Sequence, residues 1–257
     1  MTMLSAVATI RRLAMPGLLG AIILFSAQGV EARPQQVTPR VFPPSSTPYG
    51  HTYSEWSAIF WQTLLENPFD PEAPTIGQSG HVVFLNSPAG PASVYEHAVP
   101  SGTAILLTVG TAAFWVPDDF PEGTPIEVLR ETAAYVVDLV TTAECSVDGV
   151  PVNDVWGYRT ISPVFYGYLN PINPWGYPEH PYGPAVADGF WIMLAPFHVG
   201  DHEIYFHSIV TDPDTGQVLF EAEATHSVTV TPDHPGIAGD PLAIEPVTWG
   251  AIKAAYR

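Results

Sequence analysis

The sequence contains very little positive charge. Only 8 of its 257 residues are Lys or Arg, against 26 Asp and Glu, so the formal net charge is −18 and Lys253 is the single lysine. Cations this scarce cannot neutralise a row of phosphates or hold an anionic membrane surface. Nucleic acids and lipid headgroups are therefore disfavoured as partners.

Cysteine is almost absent too. Cys145 is the only one, so the chain cannot form an internal disulfide. A lone cysteine in an apolar context is most often a small buried hydrophobic residue, with intermolecular pairing or a reactive thiol as alternatives. We predict that Cys145 lies in the core.

Several common catalytic motifs are also missing. The sequence has no G-x-S-x-G elbow, no P-loop, no G-x-G-x-x-G and no H-E-x-x-H. Covalent hydrolases of the elbow type and nucleotide-binding enzymes are therefore disfavoured. After residue 32, no run of apolar residues is long enough to cross a bilayer.

The first 32 residues have the layout of a secretory signal peptide. Arg11 and Arg12 precede a mostly apolar stretch over residues 13–27, and the small residues Val30 and Ala32 occupy positions −3 and −1. We predict cleavage after Ala32, export to the periplasm or the extracellular space, and no stable membrane insertion afterwards. An uncleaved anchor is the alternative. Cleavage would change the formal charge from −18 to −19.

Two segments carry helical patterns after an extended, proline-rich lead-in over residues 33–50. Thr52 and Glu55 form a capping box ahead of apolar residues at helical spacing, which predicts a helix over about residues 53–66. A second box at Thr124 and Glu127 opens an apolar stripe, which predicts a helix over about residues 125–143.

The rest of the chain predicts β structure. We expect strands over residues 81–85, 103–109 and 158–169, a hairpin around Asp148 and Gly149, and a long aromatic loop over about residues 170–187. The fold class is therefore mainly β (α+β). We expect one β-sandwich domain over residues 51–231 with an immunoglobulin-like closing hairpin, and then a linker and a short helix over residues 246–256 within 232–257.

The closing hairpin has the clearest alternation. Apolar side chains from Val218 to Val230 share one face of the last strand, and the preceding strand places His202, Ile204 and Phe206 on its own core face. A five-residue turn over 212–216 predicts that His202 lies opposite His226, and that His207 lies opposite Glu221.

Three stretches carry a resemblance to known proteins: Tyr53–Trp56 with Trp61 and Gln62; Gly77–Gly80 leading into Val82–Leu85; and Asp188–Gly189 with Trp191–Pro196, Gly200, His202 and Ile204. They resemble uncharacterised bacterial secreted proteins with a Tyr-x-Glu-Trp aromatic first helix and an immunoglobulin-like β-sandwich. The likeness covers about residues 49–230. It implies fold and export but no activity. The group has a cysteine before its Val-Pro pair, where this chain has Ala98, so the disulfide implied by the resemblance is absent.

Aromatic residues form the main candidate binding site. Flat rings beside amides and acids suit sugar stacking, and the alternative is a loop that packs its rings over the core. We predict a non-catalytic module that binds a glycan or another neutral ligand, and a carbohydrate or another envelope component is the expected partner. The candidate ligand-binding residues are Trp56, Trp61, Tyr166, Tyr168, Trp175, Tyr177 and Tyr182.

Catalysis and metal binding are the competing interpretations. His198, His202 and His226 could supply three imidazoles to zinc, although structural histidines are the more common explanation. Part of a calcium-loop pattern occurs at residues 212–216, where a plain turn is the alternative. We therefore predict no cofactor, with zinc or calcium as alternatives.

Glu55 is the best-placed carboxylate for acid–base chemistry, and Gln62 projects from the same helix face two turns later. These residues keep open a metal-assisted or carboxylate-assisted hydrolase or lyase. A second alternative is an envelope or matrix protein whose role is interaction alone.

Overall fold

The structure, a computed structural model, describes residues 39–86 and 90–232. The helices in these ranges are α1 (Tyr53–Glu66) and α2 (Ile126–Asp138). The strands are β1 (Thr75–Ser79), β2 (Val82–Leu85), β3 (Gly90–Pro100), β4 (Ala104–Trp115), β5 (Val140–Val147), β6 (Val150–Pro151), β7 (Arg159–Ile161), β8 (Phe165–Leu169), β9 (His180–Leu194), β10 (Gly200–Thr211) and β11 (Val218–Thr231). The predicted signal peptide and terminal helix lie outside the described residues.

The strands form two mixed sheets that pack face to face. The first sheet has the order β1-β2-β4-β9-β7, with β8 also paired to β9, and the second has the order β3-β11-β10-β5-β6. This arrangement confirms the predicted fold class, a β-sandwich with two helices. None of the helices in the described ranges is long and apolar enough to cross a membrane.

The hydrophobic core has two layers. Side chains such as Leu107, Phe190 and Phe206 fill the space between the sheets, while α1 covers the outer face of the first sheet through rings such as Phe60 and Trp191. Strands β2, β4 and β9 are therefore buried on both faces, which is why their sequences contain continuous apolar runs. The predicted strands over 81–85 and 103–109 are confirmed, and β4 continues to Trp115.

Cys145 lies in the core layer between the sheets, as predicted. It is only 4% exposed, and burial raises the pKa of its thiol to about 12. A thiol in this environment stays protonated at neutral pH, so it behaves as a small apolar side chain.

Helix α1 has the predicted start and end. The Glu55 N–H donates to the Thr52 hydroxyl at 3.2 Å, and the Thr52 N–H donates back to the Glu55 carboxylate at 2.7 Å. This reciprocal pair satisfies two backbone donors at the helix start. The helix ends at Glu66, because Asn67 is extended and Pro68 follows it.

Helix α2 is shorter than predicted and is not capped as predicted. Its N-cap is Pro125, no side chain caps it, and the Thr124 hydroxyl donates to the Pro121 carbonyl. The helix ends at Asp138, because the β-branched Val140 begins β5 and pairs with Val210. The predicted span of 125–143 therefore included the first residues of a strand.

The two threonines provide a paired test of capping. We expect Thr52→Ala to lower the free energy of unfolding by about 1 kcal/mol, because the side chain that accepts from the Glu55 N–H is removed. Thr124→Ala is the control, since Thr124 caps no helix N–H. Urea denaturation monitored by circular dichroism measures both changes. Equal effects for the two substitutions would contradict the assignment of the cap to Thr52.

The hairpin predicted around Asp148 and Gly149 is confirmed. Val147 pairs with Val150, and the two intervening residues have φ values of 51° and 72°. Positive φ at both central positions is the geometry of a type I′ turn, which Asp-Gly favours.

The segment from residue 158 to 194 differs most from the prediction. The single strand expected over 158–169 is two strands, β7 and β8, separated around Pro163. The loop predicted over 170–187 ends at residue 179, because β9 begins at His180 and runs through Pro181 and Pro184. These prolines hid the strand in the sequence, since proline inside a run normally argues against β structure. Strands β1, β3 and β9 were not predicted.

The lead-in also contains more structure than expected. Val41 forms an isolated β-bridge with Leu194, and the N–H of Phe42 donates to the Met193 carbonyl at 2.9 Å. Residues 48–50 then form a turn of 3₁₀ helix. The described part of the lead-in is thus attached to the end of β9.

The predicted register of the closing hairpin is wrong by two residues, although its faces are correct. His202 pairs with Val228, Ile204 with His226, and His207 with Glu223. The turn is one residue longer than predicted, because the Asp212 N–H donates to the Gln217 carbonyl, and a bulge beside Thr211 adds the second shift. An even shift keeps each side chain on its predicted face, so His202 and His226 are both buried.

Candidate functional site

A largely apolar cleft of about 300 Å³ opens where α1 meets the ends of both sheets. The helix contributes one wall, the loop over residues 170–179 contributes another, and the start of β11 contributes a third. Its main lining side chains are Phe60, Trp61, Leu64, Ile76, Trp175 and Phe220. A cleft of this volume lies at the lower end of the range of small-molecule sites, which is about 300–1,000 Å³. We refer to it below as the aromatic cleft.

Two tryptophans, Trp61 and Trp175, line the aromatic cleft, and a third, Trp115, packs against Trp175. Trp175 stacks on Trp61 with a centroid distance of 6.4 Å, and its edge meets Trp115 at 5.1 Å. Trp61 and Trp115 are buried, whereas Trp175 remains 40% exposed. Two fixed rings thus support a third ring that is open to solvent, which is the arrangement a stacking platform needs.

The buried rings are held by hydrogen bonds. Trp61 Nε1 donates to Thr111 Oγ1 at 3.2 Å, and this hydroxyl in turn donates to the Asp188 carbonyl at 2.8 Å. Trp115 Nε1 donates to Asp118 Oδ2 at 2.7 Å, and the same oxygen lies 2.9 Å from His180 Nε2. The platform under Trp175 is therefore fixed before any ligand arrives.

Asn173 fixes the loop that carries Trp175. Its Oδ1 accepts from the N–H groups of Trp175 and Tyr177, and its Nδ2 donates to the carbonyls of Asn170 and Tyr177 at 2.8 Å each. One side chain therefore makes four hydrogen bonds across the loop. A loop ordered in this way loses little conformational entropy when it binds a ligand.

The polar side chains that line the aromatic cleft are already engaged within the protein. The Thr108 and Thr111 hydroxyls donate to backbone carbonyls of β9, and Asn86 Nδ2 donates to carbonyls of residues 70–73, the shortest at 2.8 Å to Ala73. Among the residues that the structure describes, no Lys, Arg, Asp or Glu lines the cleft. These surroundings favour a neutral ligand with an apolar face.

The structure separates the other predicted aromatic residues from this group. Trp56 and Tyr182 are buried, the first with its Nε1 donating to the Pro48 carbonyl and the second with its hydroxyl donating to Glu66. Burial, together with the Glu66 carboxylate, raises the pKa of Tyr182. Tyr166 and Tyr168 are exposed on β8, and Tyr177 is half-buried. Of the seven candidates, the cleft thus includes Trp61 and Trp175.

Phe60, Leu64 and Phe220 line the cleft but were not among the predicted site residues. Phe60 and Leu64 were detectable as members of the apolar stripe of α1. The signal at Phe220 was misleading, because alternation placed it on the core face of β11, whereas it is 43% exposed. Within the described residues, the pairing of β11 with β3 starts at Ala222, opposite Gly90, so Phe220 precedes the paired part of the strand.

The two residues considered for acid–base chemistry make separate structural contacts. Glu55 is exposed, and the N–H and hydroxyl of Thr52 hold the pKa of its carboxyl below the usual value. Gln62 Nε2 donates to the Tyr166 carbonyl at 3.0 Å and so ties α1 to β8.

The three histidines considered for zinc are divided between two environments. His202 lies 4.4 Å from His198 between ring centroids, and its two nitrogens face Asp148 Oδ2 at 2.8 Å and the His198 carbonyl at 3.0 Å. His226 is instead stacked on Tyr95 at 4.8 Å. Within the described ranges, the residues that bring three ligand atoms within 4.8 Å of one another are His207, Glu221 and Glu223.

Comparisons with known proteins add little to this geometry. No protein-family model matches the chain, and no curated protein matches it. Among solved structures, it is similar to the crystal structure of the cysteine protease inhibitor EhICP2 from Entamoeba histolytica. The identity is 12% and the TM-score is 0.19, over 55% of this chain and 99% of that chain. At this TM-score the similarity supports no inference about fold or activity.

Proposed function

We propose that this protein is an exported, non-catalytic binding module that holds a neutral ligand, such as a sugar ring of a glycan, in the aromatic cleft. The observation that carries the proposal is the half-exposed Trp175 ring, supported from below by Trp61 and Trp115. The predicted signal peptide supports the exported location, where glycans of the envelope or surroundings are accessible.

The chemistry of the aromatic cleft supports this class of ligand. The apolar C–H face of a pyranose packs against a tryptophan face, while its hydroxyls remain directed toward solvent at the rim. The described residues of the lining carry no charge, which disfavours phosphorylated or strongly ionic ligands. The volume of about 300 Å³ suits one small ring system and not a long buried chain.

The direct test is removal of the platform ring. We expect Trp175→Ala to weaken binding of a neutral oligosaccharide by at least about tenfold, because aromatic stacking beyond area burial contributes about 0.5–1.5 kcal/mol and the buried area is lost too. A panel of neutral oligosaccharides screened on an array, followed by isothermal titration calorimetry with the best binder, measures this change.

Two further variants make the test specific. Trp156→Ala removes a tryptophan that is 49% exposed but packs on Phe190 outside the cleft, and it should leave binding unchanged. Asn173→Ala keeps the Trp175 ring but removes four loop hydrogen bonds, and it should weaken binding through loss of order. The proposal fails if the folded protein binds no member of the panel, or if Trp175→Ala binds as well as the unchanged chain.

A further inference from the structure

The outer face of the second sheet carries an acidic cluster around one histidine. His207 lies at the middle of β10, with Glu223 of β11 opposite it on one side and Glu144 of β5 opposite it on the other. Glu221 lies two residues from Glu223 on the same strand and face. This region lies on the opposite side of the second sheet from the core between the sheets.

The side chains of this group converge. His207 Nε2 lies 2.9 Å from Glu221 Oε1, and the ligand atoms of His207, Glu221 and Glu223 all lie within 4.8 Å of one another. Each of the three residues is half-buried. The strand ladder fixes their backbones, and the Tyr205 hydroxyl donates to Glu223 Oε1 at 3.0 Å, which orients that carboxylate.

Within the described ranges, no lysine or arginine forms an ion pair with the carboxylates of this group. The ion pair of the group joins His207 Nε2 to Glu221 Oε1, and the carboxylate of Glu223 lies close to both side chains. The field at this point of the sheet therefore favours a bound cation.

We propose that His207, Glu221 and Glu223 bind one Zn²⁺ ion. One imidazole and two carboxylates are donors that zinc accepts in tetrahedral sites, and three protein ligands leave a fourth position for water. Calcium requires about six to eight oxygen ligands, which this group does not supply. The site is independent of the aromatic cleft.

Calorimetric titration of the full chain, without a polyhistidine tag, with ZnCl₂ tests the proposal. We expect one bound ion per chain, and at least a tenfold loss of affinity in both His207→Gln and Glu223→Gln. Glutamine at position 207 can keep a hydrogen bond to Glu221, so this variant should remain folded. Circular dichroism of each variant checks this before titration.

Glu203→Gln is the matched control for charge. Glu203 lies on the same strand and face as His207 but outside the group, so its neutralisation should change the zinc affinity less than twofold. A parallel titration with CaCl₂ should show much weaker binding. The proposal is overturned if His207→Gln binds zinc normally, if Glu203→Gln weakens binding as much as Glu223→Gln, or if calcium binds as tightly as zinc.

Discussion

Arg159→Met should lower the free energy of unfolding by about 3–5 kcal/mol, because it leaves a buried carboxylate without its counter-ion. Asp188 is fully buried in β9, and Arg159 Nη2 donates to its Oδ2 at 2.7 Å. The Arg159 Nε also faces both carboxylate oxygens, at 3.1 and 3.3 Å. The Asp188 carboxylate accepts one further bond, from the Gly189 N–H at 2.7 Å.

The same guanidinium also joins α2 to the first sheet. Its Nη1 donates to Asp138 at 2.6 Å, and its Nη2 donates to the Ala134 carbonyl at 3.1 Å near the end of the helix. Both aspartates raise the pKa of Arg159 above its usual range. Loss of the Arg159 side chain should therefore leave Asp188 without its counter-ion and also weaken the attachment of the end of α2 to the first sheet.

Two further variants distinguish the contribution of the ion pair to stability from the effect of removing any arginine side chain. Arg130→Met makes the same chemical change on α2 at an arginine with no ion pair in the described ranges, and it should cost less than about 1 kcal/mol. In the double variant, which combines Arg159→Met with Asp188→Asn, the loss of unfolding free energy should be smaller than the sum of the losses in the two single variants. We expect the difference to be about 1–3 kcal/mol. Urea denaturation of the unchanged chain, the three single variants and the double variant measures these differences. If Arg159→Met costs no more than Arg130→Met, the buried pair contributes nothing.

Local patterns were sufficient for the parts of the fold that local interactions determine. The start of α1 was predictable because Thr52 and Glu55 accept hydrogen bonds from each other's backbone N–H groups within one turn. The Asp148-Gly149 hairpin was predictable because a turn with two positive φ angles favours this pair of residues. The faces of β10 and β11 followed from alternation alone. The register of this hairpin could not be predicted from alternation. It depends on the hydrogen bond from the Asp212 N–H to the Gln217 carbonyl and on a bulge, and neither of these changes the pattern of polar and apolar residues.

The candidate site shows the same division. Trp61 and Trp175 were suspected from aromatic density, but sequence spacing does not say that two rings 114 positions apart will stack. The zinc-ligand group was partly visible as a predicted contact of His207 with Glu221. That contact exists at 2.9 Å, although the residue opposite His207 in the ladder is Glu223. Long-range convergence depends on strand order, and strands β1, β3 and β9 were not predicted.

The second large effect is loss of stability in acid, caused by His226. This residue is fully buried in β11, stacked on Tyr95 of β3 at 4.8 Å and near Phe206 of β10 at 5.8 Å. Burial, together with the neighbouring His97, lowers the pKa of His226 to about 4, against the opposing effect of the hydrogen bond to the Asn86 carbonyl. Burial lowers the pKa of His97 as well.

The direction of the change in stability with pH follows from the number of protons that the folded and unfolded chains bind. Between the unfolded pKa of about 6.5 and the folded value of about 4, the unfolded chain binds a proton at His226 that the folded chain does not. The contribution of neutral His226 is therefore fully present above pH 6.5 and is lost as the pH falls to about 4. At about 1.36 kcal/mol per pKa unit, the loss is about 3 kcal/mol.

Other groups titrate in the same range, so the test is a difference between proteins. Burial raises the pKa of Glu66 and Asp119, and these carboxyls act in the opposite direction, stabilising the fold as they become protonated. We expect His226→Gln, whose amide can still donate to Asn86, to show a smaller loss of stability between pH 7 and pH 4 than the unchanged chain. His81→Gln alters an exposed histidine and should reproduce the original profile.

Urea denaturation at intervals from pH 7 to pH 4 gives these profiles, and NMR titration of the His226 ring gives its pKa directly. Both should place the transition of the ring well below the usual histidine range, because charging it means charging a group enclosed by two aromatic rings beside a second histidine. A ring that titrates near pH 6.5 in the folded protein, or a His226→Gln profile as steep as the original, would show that the acid sensitivity arises elsewhere.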